Sequence, residues 1–432
     1  MYNVFKMHNG LRVVLENIDY VNSVSVGLWV KNGSRNEDIS ENGISHFIEH
    51  MFFKGTKRRS AFKIAECIED VGGQINAFTG KEATCFYVKV LDSHIDLALD
   101  VISDMIFESK FSPGDIDKEK GVVIEEINMS EDSPEDVLSD LQSSAVWGDD
   151  SLAYPILGTK ENVSSFTKKQ IVSYINEHYT PENSVISICG KFDSDKTIKM
   201  LDKYFGKWDN HSRNSFVYSS PEFKRNHFFK KKDIEQVHLT LGVCGIENGN
   251  EDLYTLILLS NLLGGGASSI LFQKMREEMS LCYSIYTYIS SFNNAGAVTI
   301  YTGLNPKYVY DAVSIIKEEL NKFIKKDIEP DKLNKLKEQL KASYILGMES
   351  TTSRMFNNGK SLLFLNKVNT PQEIMNKIDT INNEKLNSVM EKTFKRGIKN
   401  SAFVGKDVDV SIISDLLEDY KNPFHSGKSL NV

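Results

Sequence analysis

Gly43-Ile44-Ser45-His46-Phe47-Ile48-Glu49-His50-Met51-Phe52-Phe53 runs without proline into Lys54-Gly55, a helix stop signal, and its reading decides the fold and the chemistry. Ile44, Phe47, Ile48, Met51 and Phe52 recur at helical spacing and form a wide apolar stripe. His46, Glu49 and His50 fall on a second, narrower stripe. Residues i and i+4 of a helix stand about 5–6 Å apart at Cβ, so both imidazoles reach a single ion. Neutral imidazole is a favoured zinc ligand, and Glu49 lies where it can polarise a water on that ion. Chance alone places a His-x-x-acid-His pentapeptide in about 3% of chains of this length and composition. The other reading, a pair of solvent-facing histidines beside a helical carboxylate, therefore stays open on this stretch alone.

A second helix is expected over 115–130, Asp115 to Ser130. Lys118, Gly121, Glu125, Asn128 and Asp132 share a face without apolar side chains. Glu119, Val122, Val123, Glu126 and Met129 are read as the inward face. Two carboxylates among buried aliphatics are costly unless a cation is near. Catalytic zinc takes three protein ligands and keeps one position open. Glu126 is the better third ligand, because Glu125 points to solvent. Glu119, two turns earlier, suits the orientation of a ligand. An ordinary amphipathic helix, with Glu119 and Glu126 reaching out to solvent or to Lys and Arg, is the competing reading.

His46-Phe47-Ile48-Glu49-His50, followed by Glu119 and Glu126 in EKGVVIEEI, resembles the inverted zincins of the pitrilysin/insulinase family, which include processing peptidases. Gly72 to Thr79, GGQINAFT, resembles the family's edge strand, where Asn and Ala hold the substrate backbone. Gly264-Gly265-Gly266-Ala267-Ser268-Ser269 resembles its glycine-rich loop, and Arg276 with Tyr283 matches an Arg–Tyr pair that assists catalysis. Ile270 departs from the Arg that many relatives carry there. The resemblance spans nearly the whole chain. It implies a zinc endopeptidase with one Zn²⁺ per chain, held by His46, His50 and Glu126, with Glu49 as general base and Glu119 behind the ligands. It also implies substrate contacts at Asn76, Ala77, Phe78, Gly264, Gly265 and Gly266, to extended or presequence-like peptides. Longer relatives join two such halves around the substrate, so a homodimer is expected, with Arg276 and Tyr283 reaching the partner's zinc. A heterodimer with a metal-free homologue is the alternative. A non-catalytic scaffold or peptide-binding subunit is the competing function.

The rest of the chain sets the frame. Its 432 residues suffice for two sizeable domains, and 41% hydrophobic with 25% charged residues is ordinary for a soluble protein. The net charge of −8 argues against nucleic-acid binding. No stretch approaches the apolar length of a membrane span, and the first residues, MYNVFKMHNGLRVVLEN, show no signal or transit pattern. Five cysteines without C-x-x-C spacing read as free thiols in a reducing compartment, and a cytoplasmic location is expected. Gly264 to Gly266 lack the Lys-[Ser/Thr] of a nucleotide P-loop.

The sequence also repeats weakly. HIDLALDVI (His94–Ile102) resembles YVYDAVSII (Tyr308–Ile316), and Pro113 and Ile116 recur as Pro330 and Leu333. In the second copy Leu336 replaces Glu119, and no H-x-x-E-H occurs. The expected fold is α+β: two homologous domains from an internal duplication, each a mostly antiparallel sheet covered by helices. Residues 1–212 form the zinc-binding domain, 213–225 the linker and 226–432 the metal-free copy.

Overall fold

The computed structural model describes residues 2–209, 217–325 and 327–418, which divide into two compact units. The first unit holds six strands: β1 (Tyr2–Lys6), β2 (Arg12–Asn17), β3 (Ser23–Val30), β4 (Gln74–Thr79), β5 (Thr84–Leu91) and β6 (Ser184–Gly190). They lie in the order β1-β2-β6-β3-β5-β4. Only β2 and β6 run parallel, and β4 is an edge. β3 and β6 are almost wholly buried, which is why SVSVGLWV and SVISICG read as continuous apolar or small-residue runs.

One face of this sheet receives α1 (Ile44–Phe52), α2 (Ala61–Glu69), α3 (Ile95–Glu108) and α4 (Pro113–Asp132). Their Phe47, Ile48, Phe52, Leu99 and Ile102 pack with Val24, Val26 and Leu28 of β3. The opposite face is covered by a helix from far along the chain, Thr351–Leu365, which buries Leu362 and Leu363 on Trp29, Val14 and Val185. Two glycines allow its close approach. A Cβ on Gly27 would lie 2.2 Å from Met355 Sδ, and one on Gly359 2.2 Å from Trp29 Nε1. Arg354 pairs with the buried Glu16 carboxylate at 2.6 Å, and Asn358 donates to its other oxygen at 2.7 Å.

The second unit repeats the plan with β7 (His227–Lys231), β8 (Val237–Cys244), β9 (Cys282–Phe292), β10 (Ala295–Leu304) and β11 (Ile398–Gly405). Their order is β7-β11-β8-β10-β9, again with one parallel pair, β7 and β11. Helix Val309–Lys325 follows β10 as α3 follows β5, and helix Pro330–Gly347 starts at a proline as α4 does. One sheet face receives α5 (Pro134–Trp147), whose Val137 and Leu138 pack on Ala402 and Val404. Gln142 of α5 bonds Asn400 at 2.9 Å and Thr240 at 2.8 Å.

The α+β duplication therefore holds, but the units are not contiguous halves. The first comprises 1–130, 154–218 and 341–376, and the second takes 131–153 and 377–432 besides 219–340. The expected boundaries of 1–212 and 226–432 are corrected because α5 is needed to bury β8 and β11, and Thr351–Leu365 to bury β3 and β6. The chain passes between units after Tyr218, inside the expected linker 213–225, of which 213–216 lie outside the described residues. A second correction concerns α4. Val122 is 51% and Met129 67% exposed, and the inward row is Ile116, Glu119, Val123 and Ile127. Among the described residues no helix is long and apolar enough to cross a membrane.

Candidate metal centre

α1 forms as its spacing predicts, and Gly43 enters it at φ +98°, a left-handed turn that suits glycine. The first-turn amides, which have no partner inside a helix, are met by a side chain outside it. Glu37 accepts from the N–H of Gly43 and of Ser45, both at 2.8 Å, and from Asn42 Nδ2 at 2.9 Å. A buried carboxylate thus sits at the positive end of the helix dipole, although burial pushes its pKa up. At the other end Gly55, at φ +110°, turns the chain away.

From α1 and α4 three donors converge: the ligand-capable atoms of His46, His50 and Glu126 all lie within 4.8 Å of one another. Glu126 Oε2 is 3.8 Å from His46 Nε2 and 3.4 Å from His50 Nε2. Tetrahedral zinc with ligands at about 2.1 Å sets its donors about 3.4 Å apart, so the trio fits such an ion. The two imidazoles are held differently. His50 Nδ1 meets Glu119 Oε1 at 2.8 Å, which leaves Nε2 turned to Glu126. Lys54 Nζ takes the other Glu119 oxygen at 2.6 Å and balances its buried charge. His46 has no such brace: its Nδ1 is buried without a hydrogen-bond partner, and packing holds that side of the ring.

Titration separates the two as well. Burial, with the charge of His50, takes His46 down to about 4, so it stays neutral. Burial also opposes charge on His50, but the carboxylates of Glu119 and Glu126 outweigh it and hold the metal-free imidazole up at about 9. The bond to His50 keeps Glu126 below the usual carboxylate range. Glu49, between the histidines, is raised by burial, and Thr79 Oγ1 donates to its Oε2 at 2.5 Å.

Of the residues expected to contact substrate, Asn76, Ala77 and Phe78 do lie on the open edge of the first sheet, but in two roles. Gly80 N–H pairs with Ala83 O at 2.8 Å, so the even-numbered residues of β4 spend their backbone groups on β5. Ile75, Ala77 and Thr79 turn theirs to the open edge. The Phe78 side chain occupies the face away from α1, with ring centroids 5.6 Å from Trp29 and 5.5 Å from Phe356. Asn76 Oδ1 accepts from Ala77 N–H at 2.8 Å.

In the second unit Arg276 and Tyr283 come together, the guanidinium carbon 4.6 Å from the tyrosine centroid and 4.8 Å from that of Phe272. Tyr283 is 77% exposed on the edge strand β9. Gly264 and Gly265 are demanded by packing, since a Cβ there would lie 2.7 Å from Thr287 Cγ2 and 2.6 Å from Asn261 Cα, whereas Gly266 faces open space. Sequence reasoning missed three side chains: Lys54, Thr79 and Glu37. Each lies in a stretch already singled out or just before it, but only the fold shows what it touches.

Two family models cover most of the chain. Residues 12–160 match the insulinase family (peptidase family M16), and residues 165–340 match the peptidase M16 inactive domain. An uncharacterized zinc protease of Bacillus subtilis is 45% identical over 394 residues, covering 91% of this chain and 96% of that one. Another, of Mycobacterium leprae, is 37% identical over 384 residues, covering 88% and 86%. Among solved structures, a protease from Helicobacter pylori superposes with a TM-score of 0.85 at 22% identity, covering 94% of this chain and 99% of that one.

Proposed function

The chain belongs to the insulinase family of zinc proteases (M16), and on that premise we propose that it is an endopeptidase cutting extended, unstructured peptides at the His46–His50–Glu126 centre. The convergence of these three donors beside Glu49 carries the reading. His46, His50 and Glu126 would hold one Zn²⁺ per chain, with Glu119 and Lys54 fixing His50. When bound, zinc supplies a Lewis acid and lowers the pKa of a water to about 7. Glu49 takes the proton of the attacking water and delivers it to the leaving amine. A substrate strand adds to the open edge of β4, where Ile75, Thr79 and the carbonyl of Ala77 offer backbone hydrogen bonds that place little demand on sequence. Asn76 and Phe78, on the same strand, flank these positions.

Arg276 and Tyr283 serve the reaction by gripping the substrate backbone or stabilising the oxyanion. We place them in a homodimer, each pair acting on the zinc site of the partner chain, and we place the enzyme in the cytoplasm. All five cysteines are unpaired, which supports a reducing compartment. The test is Glu49→Gln assayed on an unstructured basic peptide with bound zinc quantified. Turnover should fall by about 10²- to 10⁴-fold at unchanged zinc. Full activity in this variant would refute the assignment of the base.

A further inference from the structure

Thr79 is the last residue of β4, and its two ends face different things. Its side chain stands on the α1 side of the sheet, where Oγ1 donates to Glu49 Oε2 at 2.5 Å. Its backbone belongs to the set that β5 leaves unpaired, with Ile75 and Ala77, because the ladder bonds fall on the even-numbered residues. The hydroxyl has little choice of acceptor. Its cross-strand neighbour Thr84 is 3.4 Å away, and the Thr84 hydroxyl gives its own proton to Asn32 O at 2.9 Å. The single Thr79 proton therefore goes to the carboxylate, which pins Oε2 and leaves Oε1 as the oxygen that can exchange protons with water and leaving amine.

We propose that Thr79 is a positioning residue for hydrolysis, coupling the peptide-docking edge of β4 to the orientation of Glu49. The proposal rests on the reading of Glu49 as the base. A peptide that adds to the edge pairs with the backbone of the same residue whose hydroxyl sets the carboxylate. A peptide seated in register then meets a base already aligned, and one seated out of register pulls on the strand that aligns it. Misplacing a reacting group by about 1 Å can cost about 100-fold in rate, so a lone hydroxyl at this point has leverage.

The experiment compares wild type, Thr79→Val, Thr79→Ser and Glu49→Gln on one fluorogenic unstructured peptide, with bound zinc and thermal midpoint measured for each. Valine keeps the shape and removes the donor, whereas serine keeps the donor. Thr79→Val should lose ~10- to 100-fold in kcat at nearly constant KM and full zinc occupancy, and Thr79→Ser should stay within about threefold of wild type. A merely structural threonine would show the opposite pattern, with a lowered thermal midpoint or zinc loss in the valine variant and no rescue of kcat by serine. Wild-type kcat in Thr79→Val, with Glu49→Gln inactive, overturns the role of Thr79 and leaves the base assigned. Activity in Glu49→Gln removes the base, and the proposal with it.

Discussion

The two units share one strand plan and differ in what fills the same positions. Glu119 on α4 corresponds in the repeat to Leu336 on helix Pro330–Gly347, and both are buried, at 2% and 6% exposure. α1 carries two histidines and a glutamate, whereas helix Leu253–Gly264 buries Leu256, Leu258, Leu259 and Leu263. The second unit shows that the fold stands on an aliphatic side chain where Glu119 lies, and on a covering helix without histidine. In the first unit the ionisable set is therefore a functional load, held by the Glu119–Lys54 pair and by Glu37 at the helix start.

The largest effect is expected from removing one of the three donors. His46→Leu should reduce peptidase activity to background and abolish zinc binding. It should nevertheless melt within about 3 °C of chelator-treated wild type, because the histidine brings a buried nitrogen without a partner. A drop well beyond that range would mean the site is structural. Next comes Glu119→Leu, the residue of the other copy. Without its acceptor His50 loses orientation and Lys54 its counter-charge, and zinc affinity should fall about 10- to 100-fold in a competition titration. Unchanged affinity would detach Glu119 from the site.

The smallest effect is a proton balance. The metal-free His50 titrates at about 9, so at neutral pH its Nε2 carries a proton that zinc must displace, while the buried His46, at about 4, carries none. Raising the pH towards 9 removes that proton, so apparent affinity should climb about tenfold per unit between pH 6.5 and 8.5. Calorimetry in buffers of different ionisation enthalpy should count about one proton released. Without metal the sign reverses for stability: charging His50 favours the fold most below its unfolded pKa of about 6.5, and the gain is lost as pH rises through about 9.

Much of this was legible in the sequence because it is local. α1 obeys its periodicity, and the duplication shows in paired prolines and paired helices. The misreading of Val122 and Met129 has a local cause too. α4 has charges on every face, so two exposed aliphatics, seven residues apart, pass for a core row. The rest depends on distance along the chain. Thr79 lies 30 residues from Glu49, and Glu119 lies 69 from His50. No periodicity joins such pairs. The exchange of α5 and Thr351–Leu365 between units was hidden for the same reason, since each helix looks complete without stating which sheet it covers.

That exchange bears on how the chain is made. All three candidate ligands have emerged from a ribosome once residue 126 is out, yet the unit that contains them gains its last segment, 341–376, only near the end of the 432 residues. Until Thr351–Leu365 arrives, one face of β3 and β6 stays bare, including Trp29 and Val185. Vectorial folding of the first unit as an isolated nascent domain is thereby denied. A ribosome stalled before residue 341 should hold a chain that is protease-sensitive and bound by chaperones, even though every candidate site residue has already been translated.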